Sequence, residues 1–192
     1  MTKRSNGFWV VLILIALVCF IAFGSIGLYN SMVSSHQEVQ NSKAQIETVL
    51  QRRGDLIPNL VSTVKGFAAH EQGVIDSVTN ARAALAGAQS IEELSNANQE
   101  LSSALSRLMV VVENYPDLKS DTVFTGLMDE LSGTENRIST ARMDYNNSVK
   151  AYNEKLAHFP ASILAGMFGF EKAEYFEATP ESQVPPVVDF GS

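Results

Sequence analysis

Phe124, Leu131, Ile138, Tyr145, Tyr152 and Phe159 recur at every seventh position. A strand turns successive side chains to opposite faces and has no use for a seven-residue repeat. A helix returns every seventh residue to nearly the same face, and a helix carrying such a row has to bury it against other helices. The row therefore predicts a helix from near Ser120 or Asp121 to about His158, seated in a bundle. Leu127, Met128, Arg142 and Val149 fill beside it. Phe159-Pro160 ends it, because proline disfavours helix in the residue that precedes it.

The same spacing governs the chain from Tyr29 to Leu85. Ile46, Leu60, Phe67, Val74 and Ala81 form one row with Arg53 in its gap. Leu50, Ile57, Val64, Val78 and Leu85 form a second, with Glu71 in its gap. Two heptad rows offset by three or four are the seam of helices packed at shallow angles. Ala86 to Ser90 interrupts them, and Ser90 with Glu93 three residues on makes a capping box. A second helix follows on Ile91, Leu94, Leu101, Leu105, Leu108 and Val112, and Asn114-Tyr115-Pro116-Asp117 stops it. No alternating pattern bounded by hairpin turns competes. The first helix is over twice the length of the second, so it either projects as a stalk or bends and counts as two.

Upstream lies a block of another kind. Phe8 to Leu28 holds no charged residue, and about 20 apolar residues suffice for a helix to cross the bilayer core. A cleaved signal peptide carries a shorter apolar stretch, roughly 7–15 residues, so an anchor is expected. Ala16-Leu17-Val18 lacks the small residue a lipoprotein needs before Cys19. Lys3 and Arg4 precede the span and Lys43 is the first basic residue after it, which predicts an N-terminus in the cytoplasm and a body outside it. Trp9 and Tyr29 stand near the two ends, where amphipathic rings favour the interfaces.

The expected architecture is thus all-α. Residues 1–7 are a short basic N-terminus, 8–28 a transmembrane helix, and 29–178 an elongated antiparallel three- or four-helix bundle. Residues 179–192, with Pro180, Pro185 and Pro186, read as a disordered tail. Ala161 to Phe170 is short and apolar; it either caps the bundle or offers a docking patch to a partner or a membrane surface.

The residues that carry chemistry in other proteins are sparse. The chain holds 14 basic and 21 acidic residues for a net charge of −7, and its scattered lysines and arginines do not make a phosphate-binding surface. No nucleic acid partner is expected. Cys19 is the single cysteine, so no intrachain disulfide forms. His36, His70 and His158 have no ligand spacing, and His70-Glu71 lacks the second histidine of a zinc-protease motif, with Val74 in its place. No nucleophile elbow or phosphate loop occurs. No catalytic residue, metal, cofactor or small-molecule substrate is predicted, and no enzyme activity is expected.

Gln51 to Lys65 (QRRGDLIPNLVSTVK) places charges and a proline inside the apolar stripe. Arg53 on a seam position calls for an acid or carbonyl partner, with Glu113 and Asp144 as candidate acids, or else it snorkels to solvent. Pro58 removes one helical hydrogen bond and presses on the carbonyl of Gly54. Asp55 offers an alternative as N-cap of a fresh helix, but the unbroken phase from Leu50 to Val64 favours one kinked helix. The candidate structural or interaction residues are Arg52, Arg53, Asp55, Pro58, Asn59 and Lys65, together with the repeated dipeptides Tyr145-Asn146 and Tyr152-Asn153.

QRRGDLIPNLVSTVKGFAAHE, then VTNARAA, ENYPDLKSDTVF and TENRISTARMDYNNSVKAYNEKLAHFP, in this order behind an anchor, resemble the LemA family of bacterial membrane proteins. The resemblance runs from about Tyr29 to Phe176, with Gly54 standing where alanine is more usual. It implies a single-span protein of the bacterial inner membrane with a helical-bundle domain, and associations with membrane-organelle formation and the cell envelope. Family members with a cytoplasmic bundle run against the orientation that the charges predict. The expected role is a scaffold or adaptor acting through protein partners or as a homo-oligomer, with a lipid-binding or membrane-shaping protein as the alternative. Residues 8–28 would contact the bilayer.

Overall fold

The computed structural model describes residues 6–68 and 70–176, so the expected tail over 179–192 and most of the basic N-terminus lie outside the described residues. Among the described residues there are six helices and no strand. They are α1 (Asn6–Phe67), α2 (Gln72–Gly87), α3 (Ile91–Val112), α4 (Pro116–Lys119), α5 (Thr122–Ala157) and α6 (Ala161–Phe168). The chain divides into two compact units, residues 1–41 with 147–173 and residues 42–146 with 174–192.

In the second unit α1, α2, α3 and α5 form an antiparallel four-helix core. Glu71 meets Tyr115 and Ser77 meets Arg107, which runs α2 against α3. Arg52 faces Glu130, while Gln45 and Val49 share a groove with Thr140 and Asp144, which runs α1 against α5. Ile46, Leu50, Ile57, Leu60 and Val64 of α1 are buried, as are Leu101, Leu105 and Leu108 of α3 and Phe124, Leu131 and Ile138 of α5. These are the heptad rows, closed on one another away from water.

The helix ends follow local chemistry. Ser90 Oγ accepts from Glu93 N–H at 3.0 Å and the Glu93 carboxylate accepts from Ser90 N–H at 3.3 Å, so the capping box forms as expected. Asp121 Oδ1 accepts from the amides of Val123 and Phe124, both at 2.9 Å, and starts α5. The Pro116 stretch does more than stop α3: it winds the one-turn helix α4, with proline at a first-turn position that has no intrahelical donor to lose.

The first long helix departs from its expected course. It runs unbroken through Pro58 and ends at Phe67, and α2 begins at Gln72. Around the turn between them two buried positions fall one residue late, and the predicted rows resume at Val78, Ala81 and Leu85. Ala68 and Ile75 are buried where Phe67 and Val74 stood in the predicted row, and Phe67 is exposed. Gly66 and Gly73 flank this turn and lower helix propensity there, while around Pro58 the buried Ile57, Leu60 and Val64 hold the helix through the lost hydrogen bond. Phe159 also leaves its heptad row, because α5 stops at Ala157, and its side chain is exposed.

In the first unit the start of α1, the end of α5, α6 and the extended residues after it are held together. Lys155 Nζ donates to the Ser31 carbonyl at 3.1 Å and makes a short contact to Ser35 Oγ. His36 packs on Tyr152, ring centroids 5.4 Å apart. Met32, Val39, Val149, Tyr152 and Leu156 are buried. Towards its N-terminus α1 carries an apolar stretch long enough to cross a membrane, and none of its described side chains is buried. Trp9, Ile13, Val18, Phe20 and Phe23 all stand exposed on it.

Candidate functional site

Arg53 sits in the gap of an apolar row on α1, and Asn98 sits in the matching gap of the row Ile91, Leu105, Val112 on α3. Both are buried, at 4% exposure each. Arg53 Nη1 donates to Asn98 Oδ1 at 2.6 Å and lies 2.6 Å from Glu135 Oε2 on α5. Arg53 therefore takes neither Glu113, which pairs with Lys119 at 2.6 Å, nor Asp144, which lines a groove beside Gln45 and Thr48. The reason is helical phase. Glu135 follows the buried Thr134 on the flank of the α5 seam, within reach of a long side chain from the opposite helix.

The contact to Glu135 is an ion pair and not an aligned hydrogen bond, and Arg53 Nε has no partner. Burial pulls the Arg53 pKa below its ordinary value, and the Glu135 carboxylate pulls the other way. An arginine stays charged at any physiological pH. The cluster is thus a fixed buried cation held by one amide and one half-exposed carboxylate. It tethers three helices.

The other residues of the 51–65 stretch do not join it. Arg52 reaches Glu130 at 3.9 Å with both side chains more than half exposed, a surface pair of little energetic weight. Pro58, Asn59 and Lys65 are exposed along α1, and the Asn59 carbonyl accepts from Thr63 Oγ1 at 2.9 Å. Asp55 lines a cleft of about 400 Å³ with Glu47, Gln51 and Gly54 of α1, Arg82 and Leu85 of α2 and Leu94 of α3. The cleft has two carboxylates, one guanidinium and no nucleophilic or imidazole side chain in its lining.

The two tyrosine–asparagine dipeptides act alike. In the first unit Tyr152 Oη donates to the Glu171 carbonyl at 3.0 Å. The Asn153 amide both donates to the Ala173 carbonyl and accepts from the Ala173 N–H, each at 2.9 Å. In the second unit Tyr145 Oη donates to the Glu174 carbonyl at 2.8 Å, and Asn146 pairs with the Phe176 carbonyl at 3.0 Å and its N–H at 2.9 Å. Each asparagine thereby imitates the two-bond exchange of an antiparallel strand pair. The repeat has a metrical basis: seven helical residues rise about 10.5 Å, and three extended residues cover about 10 Å. Phe176 is buried, with the Arg142 guanidinium 4.8 Å from its ring centre. Burial raises the pKa of both tyrosines, with the nearby Glu174 and Glu171 adding to the effect.

Asn98, Glu135 and the 171–176 segment are the members that the residue pattern missed. The break in the Ile91–Val112 row was the available signal for Asn98. Among the described residues no group of three or more His, Cys, Asp or Glu side chains could hold a metal ion.

A sequence model of the LemA family matches residues 42–190, which takes in the Arg53 cluster and both dipeptides. This chain belongs to the LemA family. Among its LemA-family and related sequences is magnetosome protein MamQ 2 of Paramagnetospirillum magneticum, 29% identical over 201 residues, covering 91% of this chain and 74% of the relative. Magnetosome protein MamQ of Magnetospirillum gryphiswaldense is 28% identical over 183 residues, 82% of this chain and 67% of the relative. Protein LemA of Metamycoplasma hominis is 22% identical over 174 residues, 90% of this chain and 79% of the relative. With an unburied apolar helix near its N-terminus, this LemA-family chain is a membrane-associated helical protein.

Proposed function

We propose that the protein is a single-pass component of the bacterial inner membrane. In this reading its helical body acts as a scaffold or adaptor for other proteins of the cell envelope and catalyses no reaction. One observation carries the reading. The polar side chains set into the seams close on one another or on the chain's own backbone, as Arg53 does on Asn98 and Glu135, and as Asn146 and Asn153 do on Phe176 and Ala173. Polar groups spent in this way fix a shape. The exposed faces of the helices, Arg52 and Lys65 among them, are what remains to meet a partner. The names of the relatives speak of a bacterial structure, the magnetosome, and of no reaction.

Lys3 and Arg4 before the span support a body outside the cytoplasm. A photo-crosslinking residue at Arg52 or Lys65 in native membranes is expected to trap one defined partner or a second copy of the chain. Adducts scattered over abundant membrane proteins would refute the scaffold reading. In a Cys19→Ser background, Ser139→Cys is expected to react with an impermeant maleimide on intact spheroplasts. Reaction only after lysis would place the body in the cytoplasm.

A further inference from the structure

Phe159 and helix α6 present an unusual surface. Phe159, Ile163, Met167 and Phe168 are between 56% and 82% exposed, while Ala161 and Ala165 form the buried side of the helix. No charged residue occurs from Phe159 to Phe170. Exposed apolar side chains gathered on one short element mark an interaction surface.

The position of α6 in its own unit identifies the occupant. Leu164, Met167 and Phe168 share with Ser25, Ile26 and Tyr29 of α1 a hollow of about 370 Å³ that is apolar but for Ser25. Tyr29 packs edge-on against the rings of Phe168 and Phe170, at 5.0 and 5.8 Å. The apolar span of α1 ends at Leu28, where Tyr29, Asn30 and Ser31 follow, so Ser25 to Leu28 is its last turn, and a turn rises about 5 Å. Helix α6 therefore lies level with the end of the span. A helix resting in the membrane interface buries its apolar face about 5–10 Å into the boundary between headgroups and acyl chains, and Tyr29 belongs to the residue types that mark that depth.

We propose that Phe159, Ile163, Met167 and Phe168 form a second membrane contact. They seat in the leaflet from which residues 8–28 emerge, and an acyl chain of that leaflet fills the hollow beside Tyr29. The argument for lipid over a protein partner is continuity. The surface adjoins the apolar span directly, and whatever covers it meets the bilayer as well. Having no lysine or arginine, α6 gains its affinity from apolar area alone, so the contact is insensitive to salt and to anionic lipid. It stands apart from the scaffold reading because it is read on the protein alone.

The test uses the full chain in vesicles of mixed phosphatidylcholine and phosphatidylglycerol, with Cys19→Ser and an environment-sensitive fluorophore on Ile163→Cys or, separately, Met167→Cys. Both sites are exposed, so the label displaces no core residue. A label on the exposed Ser103→Cys is the aqueous reference. At 163 and 167 the emission is expected to shift to the blue. Lipids spin-labelled high on the acyl chain should quench it several-fold more than at 103, with aqueous iodide ranking the sites in the opposite order. Iodide quenching at 163 and 167 equal to that at 103, with no lipid quenching, would overturn the proposal. So would efficient Met167→Cys disulfide dimers without lipid quenching, since the surface would then belong to a second copy.

Discussion

Arg53 on α1 and Asn98 on α3 fill matching gaps in two apolar heptad rows, and the guanidinium of one donates to the amide oxygen of the other at 2.6 Å. Each interrupts a hydrophobic row that is otherwise suited to burial, so each alone would be a defect. Together, each satisfies part of the other's need for a polar partner, and Glu135 supplies the opposite charge.

Breaking this pair one side at a time is expected to cost more than replacing both. Arg53→Met takes away the donor to the buried Asn98 and Asn98→Ala leaves Arg53 with Glu135 alone, and each should cost about 1–3 kcal/mol. Arg53→Met with Asn98→Leu closes both rows with apolar side chains and should cost less than Asn98→Ala alone. Glu135→Gln, at a side chain 47% exposed, should cost about 1 kcal/mol or less. Urea unfolding of the four variants checks this, and strictly additive costs would mean that the pair does not act as a unit.

The asparagine clamps predict a local effect. Asn153→Ala removes two backbone bonds at Ala173, each contributing about 1 kcal/mol. The Ala173 amide should exchange roughly tenfold faster or more, while amides in α3 keep their rates. Asn153→Asp retains the acceptor and loses the donor, so it should fall between. Asn146→Ala should act in the same way at Phe176.

Alkaline pH should weaken the tyrosine contacts. The folded pKa of Tyr145 and Tyr152 is raised from the ordinary value of 10.0. Above that value the unfolded chain loses these protons while the folded chain still holds them, so stability falls with rising pH. The contribution is complete below about pH 10 and disappears as pH climbs through the raised value. Melting temperatures measured from pH 8 upward should drop for the native chain, and Tyr145→Phe with Tyr152→Phe should flatten the drop. Equal slopes would remove the tyrosines as its cause.

At the opposite end of the scale stands the capping box. Ser90→Ala is expected to cost about 1 kcal/mol. The backbone amides of Gln89 and Ser90 lower the Glu93 pKa below 4.5, so its contribution is whole above that value and disappears as pH falls through the lowered one. Glu93→Gln should remove this acid-side loss, which a melting series in acid would detect.

Gly54 is buried in the middle of α1, yet a Cβ placed there would meet nothing within 4 Å. It lines the cleft beside Arg82. Gly54→Ala should therefore stabilise the protein by about 0.5–1 kcal/mol, because helical glycine costs backbone entropy. A loss of stability would show that the carbonyl of residue 54, pressed by the Pro58 ring, needs the freedom of glycine.

The heptad rows of α3 and α5, the capping box of Ser90 and the uncharged span before Tyr29 were all legible from residue order. Each rests on side-chain period or on bonds within four residues, and such forces act before any tertiary contact exists. Three things lay beyond that range. The turn at Ala68 to Glu71 replaced the expected continuation of the first helix, because two glycines weigh against a row only once a partner helix rewards one register over the next. The partners of Arg53 were chosen by the phase of α3 and α5, which residue spacing on α1 does not carry. The extended segment from Glu171 to Phe176 has no period of its own, and its conformation is set by hydrogen bonds from residues about twenty to thirty positions earlier. Sequence alone thus determined the helices and the surface each would hide. Tertiary packing decided where one helix would end and which polar groups would meet, since both depend on what arrives from the other side.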